Sequence, residues 1–232
     1  MLELFPEGFE EVGRAASVEL AAYTDAAGAA RIWRAFGDYV WAEVPDDWQD
    51  RWRRLHRPVT VGRGWVGPPW EEPPADRIAV TIDPGRAFGT GAHETTRLCL
   101  ELLLELERGS LVDVGCGSGV LAIAATKLGY EPVVALDHDA VAVETARSNA
   151  AANGADVDVR LADVLESPLP PTDAAVANIS ATAVEQLAEG LHAPRVVTSG
   201  YLASDTVSLR GYRAVERRTL GSWAADVWAA AG

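Results

Sequence analysis

From about residue 90 onward, short apolar runs alternate with stretches of helical period, and that alternation sets the fold class. Leu111–Val114, 133–136, 174–177 and 195–199 are brief and mostly apolar, as strands buried on both faces must be. Between them, 93–107, Val120–Leu128, 140–153 and 181–191 predict helices, and 157–161 predicts one more strand. Strand–helix–strand units in this order predict an α/β chain whose sheet is parallel and covered by helices on both faces. After Gly200 there is room for one or two helical turns, followed by strand candidates at 212–219 and 225–230 around Gly221.

The first seventy residues follow another pattern. Six of the eight tryptophans lie within the first seventy residues, the last of them inside the stretch Pro68-Pro69-Trp70-Glu71-Glu72-Pro73-Pro74, which reads as a proline-rich connector between two units. Two strands within 8–24, a helix at 26–36 and a strand at 39–44 predict a small α+β module over 1–45. Asp46-Asp47 then caps a helix running to His56, with Trp48, Trp52 and Leu55 on one face. Its arginines Arg51, Arg53, Arg54 and Arg57 are either solvated or line a substrate or partner surface. This helix and the strand-like runs 59–65 and 78–82 form a linker over 46–83, leaving 84–232 as the second domain.

Composition narrows the function. Hydrophobic residues at 48% and charged residues at 23% exclude disordered, collagen-like and membrane-embedded classes. A formal net charge of −14 opposes phosphate backbones and anionic lipid and favours a basic protein partner, so no nucleic acid and no membrane is expected. Cys99 and Cys116 make neither a disulfide framework nor a metal pattern. The start, with Glu3, Glu7 and Glu10, lacks the basic and apolar segments of a signal peptide, and a cytoplasmic location is expected.

The strongest chemical signal is Asp113-Val114-Gly115-Cys116-Gly117-Ser118-Gly119, a buried strand entering a glycine-rich loop that opens directly into a helix. A dinucleotide fingerprint requires glycine at the position of Val120, so the spacing resembles the first motif of S-adenosylmethionine-dependent methyltransferases instead. A glycine turn without ligand is the bland alternative. Asp137 ends the next apolar strand, where a carboxylate accepts from both hydroxyls of a ribose, and Asp139 is better placed to cap the following helix. Asp163, after the next strand, either faces an adenine amino group or serves the turn before Pro168. Upstream, Gly85 to Thr96 joins a glycine-rich loop to a helix start whose free amides and hydroxyls suit a carboxylate. Asn178 closes the strand 174–177 beside the loop, where its amide oxygen accepts a hydrogen bond from an amine or merely satisfies a turn. His93 and His138 are candidates for proton transfer or for structural roles, and no cluster has metal-ligand spacing.

Four segments in order, DPGRAFGTGAHETTRLCL, LVDVGCGSGVLAIAATKLG, VALDHDAV and VANISA, resemble the bacterial ribosomal protein L-eleven methyltransferases. The preceding stretch from Pro45 to Trp70 resembles the linker of that family, so the resemblance covers roughly 45–200. It implies a Rossmann-like methyltransferase fold, a mostly parallel seven-stranded sheet, behind a small α+β recognition module. It also implies transfer of methyl groups from S-adenosylmethionine to lysine amines, and to a terminal amine, of one large-subunit ribosomal protein by in-line displacement. Thr96, Gly115, Asp137 and Asn178 are then implied to contact cofactor or substrate, and Phe88, Gly89 and Thr90 to close over the methionine end. With Gly117, Gly119 and Asp163 these form the expected cofactor set, and Asn178 is the expected amine-positioning residue. The family carries a longer ferredoxin-like module than the about 45 residues here, and Ala193-Pro194 replaces a Pro-Gly-Gly turn. The alternatives are methylation of another protein or a small amine, related lysine methyltransferases of electron-transfer flavoprotein sharing the FGTG and TT features, and a binding module without catalysis. Asn178-Ile179-Ser180-Ala181 lacks the Pro-Pro-aromatic run with which nucleic-acid amine methyltransferases stack a base.

Overall fold

The computed structural model describes residues 10–14, 17–21, 26–37, 40, 57–83, 91–166, 169–187 and 190–231. The chain divides into two compact units, 1–49 and 50–232. In the first, β1 (Glu10–Arg14) and β2 (Ser17–Ala21) pair as an antiparallel hairpin, with Glu10 opposite Ala21, and α1 spans Ala26–Phe36. The predicted strand at 39–44, apart from Val40, and the arginine-flanked helix to His56 lie outside the described residues.

The second unit opens with a three-stranded sheet. The run 59–65, expected as one strand, is a hairpin: β3 (Val59–Val61) turns at Gly62-Arg63 into the antiparallel β4 (Gly64–Gly67), and β5 (Ile78–Thr81) pairs parallel to β4. Arg77 holds the turn by donating to the Gly62 carbonyl. Val61, Val66, Val80 and Ile82 join the main hydrophobic core, so this stretch is built into the second unit.

The seven remaining strands form one sheet, in the order β11 (Tyr212–Leu220), β12 (Trp223–Ala230), β10 (Arg195–Leu202), β9 (Ala174–Asn178), β6 (Leu111–Val114), β7 (Val133–Asp137) and β8 (Asp158–Leu161). Only β12 runs against its neighbours. The seven-stranded, mostly parallel sheet expected from the sequence is what forms. Strands β6 and β7 are buried at every position, which explains why they are apolar except for Asp113 and Asp137. Among the described residues four helices serve this sheet: α2 (Glu94–Glu105), α3 (Val120–Leu128), α4 (Ala140–Ala152) and α5 (Ala181–Gln186). One core packs α2 to α4 against the three-stranded sheet and one sheet face, and a second holds the other face with Leu187, Tyr201 and Trp228.

Helix boundaries follow capping chemistry. Asp139 Oδ1 accepts from Val141 N at 2.9 Å to start α4, as expected of the better-placed carboxylate. Gly129 ends α3 in the left-handed conformation, its amide donating to Ala125 and Thr126. α5 is shorter than the expected 181–191, stopping at Gln186 before a turn in which Gly190 N donates to Leu187 O. No helix forms at 203–211: Asp205 Oδ2 accepts from Leu202 N, and Arg217 donates to the carbonyls of Ala203 and Asp205, satisfying that backbone as a loop. None of the described helices is long and apolar enough to cross a membrane.

Candidate functional site

In an open parallel sheet, ligands bind beyond the carboxyl ends of the strands where strand order reverses. Here the reversal lies at β6, with β7 on one side and β9 on the other. The loop 115–119 leaves β6 at that point, and Gly115, Gly117 and Gly119 all have positive φ (73°, 53° and 80°), which confines the loop to glycine at those positions. Gly115 N and Cys116 N both donate to Leu136 O, at 2.8 and 3.0 Å, folding the loop back on β7.

Asp137 is the hub of this turn. Its Oδ2 accepts from Gly117 N at 2.9 Å and its Oδ1 from Asp139 N at 3.0 Å, and it is 7% exposed. Two charge-assisted bonds fix the carboxylate before any ligand arrives. Asp113, two residues upstream of the loop, is buried in β6, where its Oδ2 accepts from Ala122 N at 3.0 Å and anchors the first turn of α3. Its Oδ1 has no hydrogen-bond partner among the described residues. Burial, followed by the nearby Asp137 charge, pushes its pKa up to about 7 although the Ala122 amide pulls the other way.

On the other side of β6, Asn178 ends β9. Its Nδ2 donates to Thr96 Oγ1 at 3.3 Å, and Thr96 is buried in the first turn of α2. With the amino half held by Thr96, the amide oxygen is the half left to accept. His93 starts α2 as its cap, Nδ1 accepting from Thr95 N at 3.3 Å, and its ring meets Trp223 edge-on with centroids 4.8 Å apart. That is a structural role. His138 is exposed beside Asp137, Nδ1 lying 3.6 Å from Asp137 Oδ1. Burial pushes the Cys116 and Cys99 thiols up, so neither is a ready nucleophile.

A cavity of about 390 Å³ opens between Asp137 and Asn178. Of the residues singled out in the sequence, Thr96, Gly115, Cys116, Gly117, Asp137, His138, Asp163 and Asn178 line it. Gly119 does not; it approaches α4, where an added Cβ would sit 3.0 Å from the Ala146 Cβ. Asp163 lines the cavity and also serves a turn, its Oδ1 accepting from Leu165 N at 3.0 Å. Phe88, Gly89 and Thr90 lie outside the described residues. Among those described, no group of His, Cys, Asp or Glu is arranged to hold a metal ion.

Asn149 escaped the sequence reading. It is 4% exposed on α4, its Nδ2 donating to Ser118 O at 3.0 Å and its Oδ1 accepting from Asp83 N at 3.2 Å. It thereby ties the glycine loop to the segment after β5. One signal was available: an asparagine standing in the inward stripe Ala142, Ala146 and Ala150 of a helix has to bond something buried.

The family model for ribosomal protein L11 methyltransferase (PrmA) matches residues 18–219. The ribosomal protein L11 methyltransferase of Symbiobacterium thermophilum is 42% identical over 196 residues, covering 82% of this chain and 62% of that protein. That of Caldanaerobacter subterraneus subsp. tengcongensis is 42% identical over 203 residues, 81% of this chain and 65% of the relative. The crystal structure of ribosomal protein L11 methylase from Lactobacillus delbrueckii subsp. bulgaricus matches at a TM-score of 0.66 with 28% identity, covering 75% of this chain and 99% of that one. The chain thus spans a little under two-thirds of the length of these two relatives. With a match extending over most of its length and identities above 40%, the chain belongs to the ribosomal protein L11 methyltransferase family.

Proposed function

We propose that this chain transfers methyl groups from S-adenosylmethionine to amino groups, lysine side chains above all, of ribosomal protein L11. One observation carries the reading: Asp137 and Asn178 end the strands on either side of β6 and line a single cavity, with the Gly115 and Gly117 backbone between them. Its contents suit a sulfonium nucleoside. Asp137 offers carboxylate oxygens to a ribose diol, Asp163 stands further along the same wall, and Val120, Leu121, Val164 and Leu165 supply apolar surface. Thr96 and the start of α2 suit the amino-acid end.

Bound there, S-adenosylmethionine supplies an electrophilic methyl group. The remaining work belongs to the chain and is mainly positioning. Asn178 accepts a hydrogen bond from the incoming amine, and Thr96, holding the other half of the same amide, fixes which way it faces. The amine must be neutral to react, and leaving water for the cavity mouth lowers the pKa of an ammonium group. A chain of net charge −14 attracts the basic surface typical of ribosomal proteins.

The test is methyl transfer from labelled S-adenosylmethionine to purified ribosomal protein L11, followed by mass spectrometry, with Asn178→Ala alongside. The expected result is label on lysine, a kcat reduced on the order of 10²-fold in the variant and a cofactor affinity within about threefold of wild type. Label confined to another protein or a small amine would replace the acceptor. Cofactor binding with no transfer to any amine would refute the catalytic reading.

A further inference from the structure

Gly200 stands where β10 departs from regular pairing. The register steps from Ser199 opposite Ala225 to Tyr201 opposite Ala224, leaving Gly200 as the extra residue of a bulge with φ +102°. A Cβ built on it would lie 2.2 Å from the Ile179 carbonyl oxygen, 2.7 Å from the carbonyl carbon and 2.9 Å from the nitrogen. The backbone just after Asn178 therefore rests directly on a residue that has no side chain.

Ile179 is held from two more directions. Its N–H donates to Ser199 O at 3.0 Å, and its Cγ2 would lie 2.6 Å from a Cβ on Gly115. Ser199 is itself fixed, fully buried with Oγ donating to Ala224 O at 2.7 Å, and it pairs in register with Asn178. We propose that Gly200 is a positioning residue for the acceptor amine, its missing side chain letting the Ile179 peptide settle against β10 and so setting the reach of the Asn178 amide. The proposal rests on the reading of Asn178 as the group that holds the amine.

The size of the effect follows from the clearances. Real Cβ contacts stop near 3.0 Å, so alanine at 200 must move the Ile179 carbonyl, placed 2.2 Å away, by roughly 0.8 Å. The obstructing atoms are backbone and cannot rotate aside. A displacement of about 1 Å in a positioning group costs up to ~10²-fold in rate. The Asp137–Gly117 bond lies on the other side of β6 and is untouched, so cofactor binding should survive.

Four variants make the test: Gly200→Ala, Asn178→Ala, their double mutant, and Gly221→Ala. Gly221 also has positive φ (58°) but nothing within 4 Å of its would-be Cβ, so it tests a left-handed glycine without the contact. The chain has only three asparagines and two glutamines, so the Asn178 side-chain amide is resolvable by nitrogen-15 NMR and assigned by its loss in Asn178→Ala. Gly200→Ala should shift those resonances and lower kcat on ribosomal protein L11 by about 10- to 100-fold. Its affinity for S-adenosylhomocysteine should stay within about threefold, and the double mutant should be no slower than Asn178→Ala. Gly221→Ala should leave both the resonances and kcat unchanged. Unmoved Asn178 resonances in folded Gly200→Ala, an equal effect in Gly221→Ala, or a parallel loss of cofactor affinity overturns the proposal. Full kcat in Asn178→Ala overturns the reading beneath it, whatever the resonances do. Should Gly200→Ala not fold, Ile179→Ala releases the same peptide from the Gly115 side, and unshifted Asn178 resonances there overturn the proposal equally.

Discussion

Replacing Asp113 by asparagine isolates the cost of a carboxylate buried beneath the glycine loop. Burial raises its pKa from 3.8 to about 7 in the folded chain, so between those two values the folded state keeps a proton that the unfolded state has released. Stability from this group is fully present below about pH 4 and is lost as pH rises through about 7. Three units at about 1.36 kcal/mol each make the swing on the order of 4 kcal/mol. Asparagine keeps a carbonyl for the Ala122 amide and removes the titration. Urea denaturation of both proteins from pH 5 to pH 8.5 reads the difference directly. The variant should gain on wild type as pH rises, and the gap should level off above about pH 7.5. The amide that takes the place of the unpartnered Oδ1 adds an offset that does not vary with pH, so the slope is decisive. Parallel curves for the two proteins would refute the buried-acid account of Asp113.

Other consequences can be checked singly. Asp137→Ala removes the acceptor for Gly117 N and Asp139 N as well as for the ribose, and calorimetry should show S-adenosylmethionine binding weakened at least about tenfold, since bonds to charged groups are worth ~1.5–3 kcal/mol. Thr96→Val deletes the hydroxyl that orients Asn178; one bond at ~0.5–1.5 kcal/mol predicts a two- to tenfold fall in kcat, milder than Asn178→Ala. Asn149→Ala removes the two bonds to Ser118 O and Asp83 N and, at ~0.5–1.5 kcal/mol each, should cost about 1–3 kcal/mol in chemical denaturation, with no change in pH slope.

The parallel sheet was legible because its strands are buried on both faces and say so in apolar runs such as 133–136. The glycine loop and Asp137 were legible because a positive φ and a strand-end carboxylate are local demands on residue type. What stayed hidden was long-range. Arg217 bonds the carbonyls of Ala203 and Asp205 in the 203–211 loop from fourteen and twelve residues away, and Asn149 bonds Asp83 across 66 positions. No local propensity encodes those partners. The hairpin within 59–67 was missed although Gly62, with φ 53°, marks its turn; the Arg77 that donates to the Gly62 carbonyl lies fifteen residues further on. Gly200 was visible as a glycine, but the peptide resting on it belongs to another strand.

The placement of Asp137 and Asn178 on opposite sides of β6 also separates two inheritances along the chain. Everything proposed to grip the nucleoside, from the glycine loop through Asp163, is encoded before residue 174, whereas Asn178, Ile179 and Gly200 come after it. On that reading a descendant could change its methyl acceptor by drift or exchange within the last quarter of the sequence while the preceding residues went on holding the same donor. Thr96 would feel both histories, because it sits in the earlier part of the chain and is bonded by Asn178 from the later one.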